Sequence, residues 1–497
     1  MLASVAIALA LQSPTFRTST RLVEVNVVVH DKNGPVGDLT KDDFIVTDRG
    51  KPRAITLFSR LAAHKTGDTP ALPAGVFSNR PRRSNASPGS VTIVLLDALN
   101  TLYYGSAFVD LTGPTHTENQ ALGYGKLQLM KFVKDLDPQD RVAIYALGRS
   151  LRVLCDFTND PAQLEKVLRE YRDSSVTLAE VAEPPAAHLG ATPEFDAAAD
   201  SGNQKMAALA NGDRLSETVA ALLAIANHAA DIPGRKNLVW LTASLPFTGP
   251  AVARLLSRAN IAIYPVDARG LIASMNPFFQ PNGLDAMQEL ADETGGRAFY
   301  NRNDLSTAIR TAVDDADISY TVGFHVDEAS LDGRFHELKI RVTRPGVDVR
   351  YPSGYFALKE VSTAAQRQRD IRSTLASPLE SSAIHLLAKV DRADRVLRIG
   401  GSIDLRDVQL ALRDGVRKGA VEIFFVQQDA LGNVLERTRN RLSLTLNEEQ
   451  YGAYLKSGVL FRQDIQLKQG AATIRVLVGD PASANVGSLI IPMSQVK

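Results

Sequence analysis

The chain has too few cysteines for a disulfide framework and lacks the long apolar stretches of membrane spans. Its 497 residues include one cysteine and one tryptophan. The single thiol, Cys155, cannot form a disulfide within the chain, and its strand-like surroundings favour a buried, inert side chain. Beyond the first residues, no apolar stretch is long enough to span a membrane. The formal net charge is +1, which gives no indication of a nucleic-acid or anionic-membrane partner.

Motifs of common enzyme chemistry are also missing. The eight histidines show no metal-ligand spacing, and no glycine-rich loop lies between a strand and a helix in the phosphate-binding order. Ser244 follows a strand, but "TASLP" lacks the glycines of a nucleophile elbow. We therefore expect no nucleotide cofactor and no small-molecule substrate.

Length and composition indicate a soluble protein with several domains. The chain is 44% apolar and 22% charged, which is typical of globular proteins, and its length suits about three domains. Residues 1–15 begin with the apolar stretch "LASVAIALAL", without a basic segment before it, and resemble a truncated secretion signal. We expect a secreted protein, or one of the periplasm or cell envelope.

The hydrophobic pattern changes several times along the chain. Residues 22–29 alternate as a half-buried strand does, whereas strands alternate with helices from residue 91 to about 313. After residue 318 the pattern is again that of strands. We predict the following units: a first β segment at 16–60, a linker at 61–87, an α/β unit at 88–316 with a mobile insertion at 174–212, a second β segment at 317–358, a linker at 359–388 and an all-β sandwich at 389–497.

The two β segments are each too small to form a core alone. They bracket the α/β unit, and the termini of a domain usually lie close together, so insertion is tolerated. We predict that they pair into one β-sandwich, with a doubly wound α/β domain of Rossmann-like layout inserted into it.

The stretch "VTIVLLDALNT" at 91–101 holds the most informative carboxylate. Five apolar residues in a run of six end on Asp97, at the carboxyl end of a predicted strand, where open α/β sheets bind ligands. Asp97 could be a catalytic group, a metal ligand, or the acceptor of a hydrogen-bonded turn with Asn100 and Thr101.

The order of elements resembles a von Willebrand factor type A domain. The segments "GRKNLVWLTAS", "IAIYPVDARG" and "LADETGGRAF" are similar to those of a bacterial subgroup, the VWFA-related domain proteins. The flanking segments "STRLVEVNVVVHDKNGPVGDLTKDDF" and "GRFHELKIRVTRPGVDVRYPSGYF" are similar as well, so the resemblance covers about residues 16 to 357. It implies a non-enzymatic module that binds a protein partner through a metal-ion-dependent adhesion site.

The family's adhesion site uses Asp-x-Ser-x-Ser after the first strand, a Thr from a later loop and an Asp after the fourth strand. Here Asp97 and Thr101 match the first loop, but Leu99 replaces a ligating Ser. Ala243 replaces the later Asp, and the later Thr falls near Asp213 or Arg214. The metal set is thus reduced to Asp97, Thr101 and Asp213. Mg²⁺ is the cation that the resemblance implies, and the loss of a carboxylate weakens its binding sharply.

Three functions follow from these observations. The leading one is an exported adhesion or interaction module with a degenerate metal site, whose crevice contacts a partner through Asn100, Leu102, Tyr103, Ser244 and Phe247. The second is a hydrolase that uses Asp97 with Ser244 or His116, and the third is a structural spacer of an envelope assembly. His325 and His336 would form a metal pair if residues 318–342 made one hairpin, although two half-exposed histidines are the commoner arrangement.

Overall fold

The computed structural model describes most of the chain outside its first residues and several loops. The described residues are 20–62, 72–73, 75–80, 91–105, 120–172, 212–230, 232, 234–243, 245, 250–269, 284–327, 330–357, 374, 377–413, 415–430, 432–483 and 485–496. The segment 1–15 lies outside them, as do His116, Ser244, Phe247 and all but the last residue of the predicted insertion 174–212. In the described part, no helix is long and apolar enough to cross a membrane.

The first part of the chain is a series of strands. These are β1 (Thr20–Asp31), β2 (Gly34–Pro35), β3 (Phe44–Asp48), β4 (Lys51–Arg53), β5 (Leu57–Ala62) and β6 (Val76–Ser78).

Strands and helices alternate in the next part. The strands are β7 (Val91–Asp97), β8 (Arg141–Leu147), β9 (Leu151–Thr158), β10 (Lys236–Thr242) and β11 (Ile261–Asp267). The helices are α1 (Ala98–Gly105), α2 (Gln120–Lys134), α3 (Pro161–Glu170), α4 (212–229), α5 (Pro250–Arg258), α6 (Leu284–Thr294) and α7 (Leu305–Asp314).

The α/β sheet has the order β11-β10-β7-β8-β9. Strands β11, β10, β7 and β8 are parallel, and the edge strand β9 is antiparallel to β8. Helices cover both faces, which explains the unbroken apolar run in β7. Ile93 and Leu95 pack in the core under α4, α5 and α6, while Val94 and Leu96 pack in the core under α2, α3 and α7.

A β-sandwich lies beside this unit. Its later strands are β12 (Ile318–Asp327), β13 (Phe335–Val342), β14 (Asp348–Arg350) and β15 (Gly354–Phe356). One sheet has the order β14-β1-β12-β5 and the other has the order β15-β13-β3-β4. Their inner faces share one core, in which Val25 and Phe324 of the first sheet meet Val46 and Ile340 of the second. Strands from before and after the α/β unit thus pair with each other.

The prediction of a hairpin over residues 318–342 is wrong. Strand β12 pairs with β1 and β5, whereas β13 pairs with β15 and β3 in the opposite sheet. His325 is therefore exposed on one sheet, while His336 is buried in the other beside Asp48. The two histidines form no cross-strand pair, because β12 pairs with β1 and β5, whereas β13 pairs with β3 and β15.

The last part of the chain is a second sandwich. Its elements are β16 (Leu386–Ala393), β17 (Val396–Ile403), β18 (Ala411–Arg413), β19 (Val416–Gln428), β20 (Val434–Leu446), α8 (Glu448–Ser457), β21 (Val459–Gln466), β22 (Thr473–Gly479) and β23 (Val486–Pro492). Sheet β21-β17-β16-β6 packs on sheet β18-β19-β22-β23, and β20 pairs with β19.

Strand β6 corrects the reading of residues 61–87 as a linker throughout. Ser78, Phe77 and Val76 pair with Leu387, Ala388 and Lys389 of β16. The partner strand lies more than 300 residues further along the chain, so no local pattern could indicate it. Strand β16 also begins within the predicted second linker, 359–388.

Candidate functional site

Asp97 lies where the strand order of the α/β sheet reverses. Strand β7 is flanked by β8, which follows it in the chain, and by β10, which comes much later. Asp97 is the last residue of β7 and α1 begins at the next residue. Its carboxylate Oδ1 accepts a hydrogen bond from the Asn100 amide N at 2.8 Å, so it caps the first turn of α1.

The Asp97 carboxylate is buried and its acceptor positions are filled. Asn100 Nδ2 donates to Oδ2 at 2.7 Å and Trp240 Nε1 donates to the same oxygen at 2.8 Å. The side chain of Thr242 provides a further hydrogen bond. With the Asn100 amide these make four donors, and a carboxylate offers about four lone-pair positions.

The register of the sheet places the indole next to the carboxylate. Trp240 is opposite Leu95 in the β10–β7 ladder, and both side chains lie in the same core. Because side chains alternate along a strand, Asp97 is on the same face as Leu95. A buried indole N–H requires an acceptor, and Asp97 is the acceptor within reach.

Burial raises the pKa of Asp97 to about 6, since removal from water disfavours the charged form. The hydrogen bonds from Asn100, Trp240 and Thr242 act in the opposite direction and stabilise the carboxylate. At neutral pH the group is therefore ionised and held by neutral donors.

Thr101 and Thr218 complete a polar network around Asn100. The Thr101 hydroxyl accepts from the Ala243 amide N at 3.1 Å, which links α1 to the end of β10. Asn100 Nδ2 also donates to Thr218 Oγ1 at 3.1 Å, and the Thr218 hydroxyl donates to the Arg214 carbonyl. Asn100 Oδ1 is buried and has no hydrogen-bond partner in the described structure.

The other predicted site residues have varied positions. Asp213 is exposed in the first turn of α4, five residues before Thr218, the α4 side chain that contacts Asn100. Leu102 and Tyr103 lie in α1, but their side chains are outside the described part. Ser244 and Phe247 are outside it altogether.

These residues do not fit a divalent cation. Mg²⁺ requires about six oxygen ligands in octahedral geometry, and the Asp97 oxygens already accept bonds from protein donors. Ala243 contributes no side-chain oxygen at the end of β10. Among the described side chains beside Asp97, the Asn100 amide oxygen and the Thr101 hydroxyl are the neutral oxygens left, and Asp213 is exposed on α4, so these ligands are too few for a hard cation.

Sequence reasoning missed Trp240 and Thr218. A signal existed for the tryptophan, because a lone Trp in the apolar strand "NLVWLT" needs an acceptor for its N–H. No such signal existed for Thr218, because the sequence does not indicate which residue of α4 would face Asn100.

Another polar cluster lies in the second sandwich. Among the described residues, His385, Asp404 and Asp407 form the one group of three histidine or carboxylate side chains close enough to share a metal ion. Asp404 is paired with Arg80 and Arg406, and His385 Nδ1 is 2.7 Å from Asp407 Oδ2. The arginines already neutralise Asp404, so ion pairing accounts for the cluster.

Comparisons with known proteins give similarity to solved structures alone. No family model and no curated protein matches the chain. The VWA2 protein of Sulfolobus acidocaldarius is 10% identical, with 88% of this chain and 78% of that one covered and a TM-score of 0.26. A von Willebrand factor type A protein of Catenulispora acidiphila is 9% identical over 78% of this chain and 74% of that one, with a TM-score of 0.25.

A third solved structure is proximal thread matrix protein 1 from the mussel byssus, whose adhesion motif is occupied by zinc. It is 13% identical over 47% of each chain, with a TM-score of 0.25. Von Willebrand factor type A structures are thus among those similar to this chain, as the sequence resemblance predicts. The α/β fold of residues 91–314 is defined by its own strand order, β11-β10-β7-β8-β9.

Proposed function

We propose that the chain is an exported, non-enzymatic interaction protein that binds a protein partner through the crevice at the carboxyl end of the α/β sheet, without a metal ion. The saturated hydrogen bonding of Asp97 carries this proposal. A carboxylate that is buried and holds four donors is available neither as a metal ligand nor as a general base. The proposed contacts are Leu102, Tyr103, Ser244 and Phe247. The prediction that Asn100 contacts the partner is wrong, because its side chain is buried against Asp97 and Thr218.

The proposal includes a division of the chain into three units. These are a sandwich built from residues 16–60 and 317–358, the α/β domain at 88–316 inserted into it, and a C-terminal sandwich over 389–497 that also includes β6 and the start of β16 at Leu386. The pairing of β1 with β12 and of β3 with β13 supports the insertion. Export rests on the apolar stretch at the start of the sequence.

Metal titration tests the first part of this proposal. We expect no saturable heat when Mg²⁺ or Mn²⁺ at millimolar concentration is titrated into the full chain, and the same result for Asp97→Ala. Binding in the wild type that disappears in Asp97→Ala would contradict the metal-free crevice. Binding that persists in Asp97→Ala but disappears in Asp404→Asn would assign the ion to the second sandwich.

Photo-crosslinking tests the crevice itself. A photoreactive amino acid is placed at Tyr103 or Phe247, with Lys166, exposed on α3, as the control position. We expect the same protein to be captured from the crevice positions and not from Lys166, with a yield that EDTA does not change. Capture that requires a divalent cation, or equal capture from all three positions, would overturn the proposal.

A further inference from the structure

A second groove lies at the opposite end of the α/β sheet from Asp97. It has a volume of about 230 Å³ and lies between the first sandwich and the start of strands β10 and β11. Five consecutive residues of β1, Leu22 to Asn26, line one side of it. Neighbouring residues of a strand point to opposite faces, so a groove lined by five in succession runs along the backbone edge.

That edge of β1 has no strand partner in the described part of the chain. From Thr20 to Val27, β1 pairs with β12 on one side. On its other side, β14 pairs with residues 28 to 30 and stops there. An open strand edge presents a row of backbone N–H and C=O groups that can accept another strand.

The walls of the groove are rigid because the two units are in close contact beside it. Ser353 N of the sandwich donates to the carbonyl of Asp292 in α6 at 2.8 Å. A Cβ on Gly295 would lie 2.7 Å from Pro352 N, so the sandwich backbone packs directly on the end of α6. The groove is therefore preformed.

One end of the groove offers an aromatic platform. The rings of Phe335 and Phe356 are 5.1 Å apart, and the Arg254 guanidinium lies 4.7 Å above the Phe356 ring. Phe335 is exposed despite its size. This arrangement suits an apolar side chain of a ligand.

The other chemical feature is a carboxylate with an unused oxygen. Glu293, in the last turn of α6, lines the groove, and its Oε2 is buried without a hydrogen-bond partner in the described structure. Burial and the neighbouring Glu289 raise its pKa, and the charge of Arg254 in the same lining partly opposes this shift. Glu24 of β1 adds a second carboxylate to the lining. A donor with positive charge would satisfy Glu293.

We propose that this groove binds an extended peptide segment of a partner protein, which adds as a strand to the Leu22–Asn26 edge, in line with β14, with an apolar side chain on Phe335 and Phe356 and a basic side chain at Glu293. Backbone pairing supplies affinity in this mode and the side-chain pockets supply selectivity. The site is separate from the Asp97 crevice, so either proposal can fail without the other.

Hydrogen exchange on the full chain is the primary test. The probe is a synthetic peptide, Thr-Val-Lys-Leu-Arg-Val-Thr with blocked ends. We expect the amides of residues 22–26 that point away from β12 to exchange fast in the free protein and to become protected on peptide addition. Amides of residues 28–30, already paired with β14, serve as the internal control. Protection of 22–26 in the free protein would mean that the edge is already covered and would overturn the proposal.

Peptide variants test strand addition directly. Methylation of alternate amide nitrogens removes donors from one edge of the peptide. Methylation of the alternate amides that face the Leu22–Asn26 edge should abolish binding. Methylation of the other alternate set should leave binding unchanged. Equal binding by both, or no saturable binding of the parent peptide at millimolar concentration, would overturn strand addition. So would dimerisation of the chain through residues 22–26, since a second copy would then be the occupant.

Protein variants locate the site. Ser257, exposed on α5, lines the groove, so Ser257→Trp should fill it and abolish binding, whereas Gln288→Trp, exposed on α6 outside the groove, should not. Glu293→Gln should weaken the basic peptide by about ten-fold. A peptide with glutamine in place of both basic residues should be insensitive to that change. Binding that is unaffected by Ser257→Trp would place the peptide elsewhere and contradict the proposal.

Discussion

At the scale of single residues, the carboxylate at the sheet's carboxyl end is a structural acceptor. Asp97 receives hydrogen bonds from Asn100, Trp240 and Thr242, and it has no cationic side chain among those partners. A buried charge without a counter-ion is tolerated when neutral donors saturate it. The network joins α1 to the end of β10 and so fixes the shape of the crevice floor.

The raised pKa of Asp97 predicts a pH-dependent stability. Between its ordinary value of 3.8 and the folded-state value of about 6, the carboxyl is ionised in the unfolded chain and protonated in the folded one. The folded state therefore binds more protons, and its stability falls as pH rises through this window, by roughly 3 kcal/mol in total. Urea unfolding of wild type and Asp97→Asn from pH 4 to 7 measures the effect. The difference between the two free energies should change over this window, and a constant difference would refute the assignment.

The hydrogen bond from the Trp240 indole to Asp97 predicts a loss of stability when either partner is replaced. Trp240→Phe removes the N–H that Asp97 Oδ2 accepts and should lower the free energy of unfolding by about 1–3 kcal/mol beyond the packing loss. The packing loss is common to both backgrounds, so a double-mutant cycle with Asp97→Ala, which has no side-chain acceptor, isolates the hydrogen bond. Additive effects of the two substitutions would show that the contact contributes nothing.

At the scale of elements, one glycine fixes the contact between α6 and the sheet. A Cβ on Gly296 would lie 1.8 Å from the Ile263 carbonyl oxygen, and backbone atoms cannot move aside as a side chain can. Gly296→Ala should therefore destabilise the chain by about 3 kcal/mol. Thermal unfolding measures this.

The matched control is Gly123→Ala. Gly123 lies inside α2, and a Cβ there meets no atom within 4 Å. Alanine restricts the unfolded chain and favours the helix, so this variant should be about 0.5–1 kcal/mol more stable. Equal effects of the two substitutions would contradict the close approach at Gly296.

The sequence predicted elements better than it predicted their partners. The apolar run at Val91–Leu96 and the Asp160-Pro161 start of α3 are local signals, and the structure has a strand and a capped helix there. The partner of β6 and the separation of β12 from β13 into two sheets depend on distant strands, which no local pattern encodes. At the site, sequence located Asp97 but could not supply Thr218.

At the scale of the whole molecule, the C-terminal sandwich is connected to segments that lie before the α/β unit and within it. Strand β6 precedes the unit and pairs with β16. After the unit, Ser382 N donates to the Asn227 carbonyl of α4, and His228 contacts the Glu380 carbonyl. The position of the last sandwich is thus set by contacts from two distant parts of the sequence.

Asn79, which follows β6, joins this segment to the C-terminal sandwich through its side chain. It is buried, and its Nδ2 donates to the carbonyls of Ser381 and Ile384 at 2.7 and 2.8 Å, while Oδ1 accepts from Leu386 N at 2.9 Å. Asn79→Ala leaves three buried backbone groups without this partner and should lower the free energy of unfolding by about 2–4 kcal/mol. Hydrogen exchange at Leu386 should accelerate together with that loss.

The neighbouring Arg80 provides the control variant for Asn79→Ala. Its side chain is half exposed and forms an ion pair with Asp404, and exposed pairs contribute about 0–1 kcal/mol. Arg80→Ala should therefore change stability little and leave exchange at Leu386 unaltered. If both variants behave alike, β6 is held by its strand pairing alone. If Asn79→Ala alone loosens Leu386, one buried amide joins the chain before the α/β unit to the sandwich that follows it.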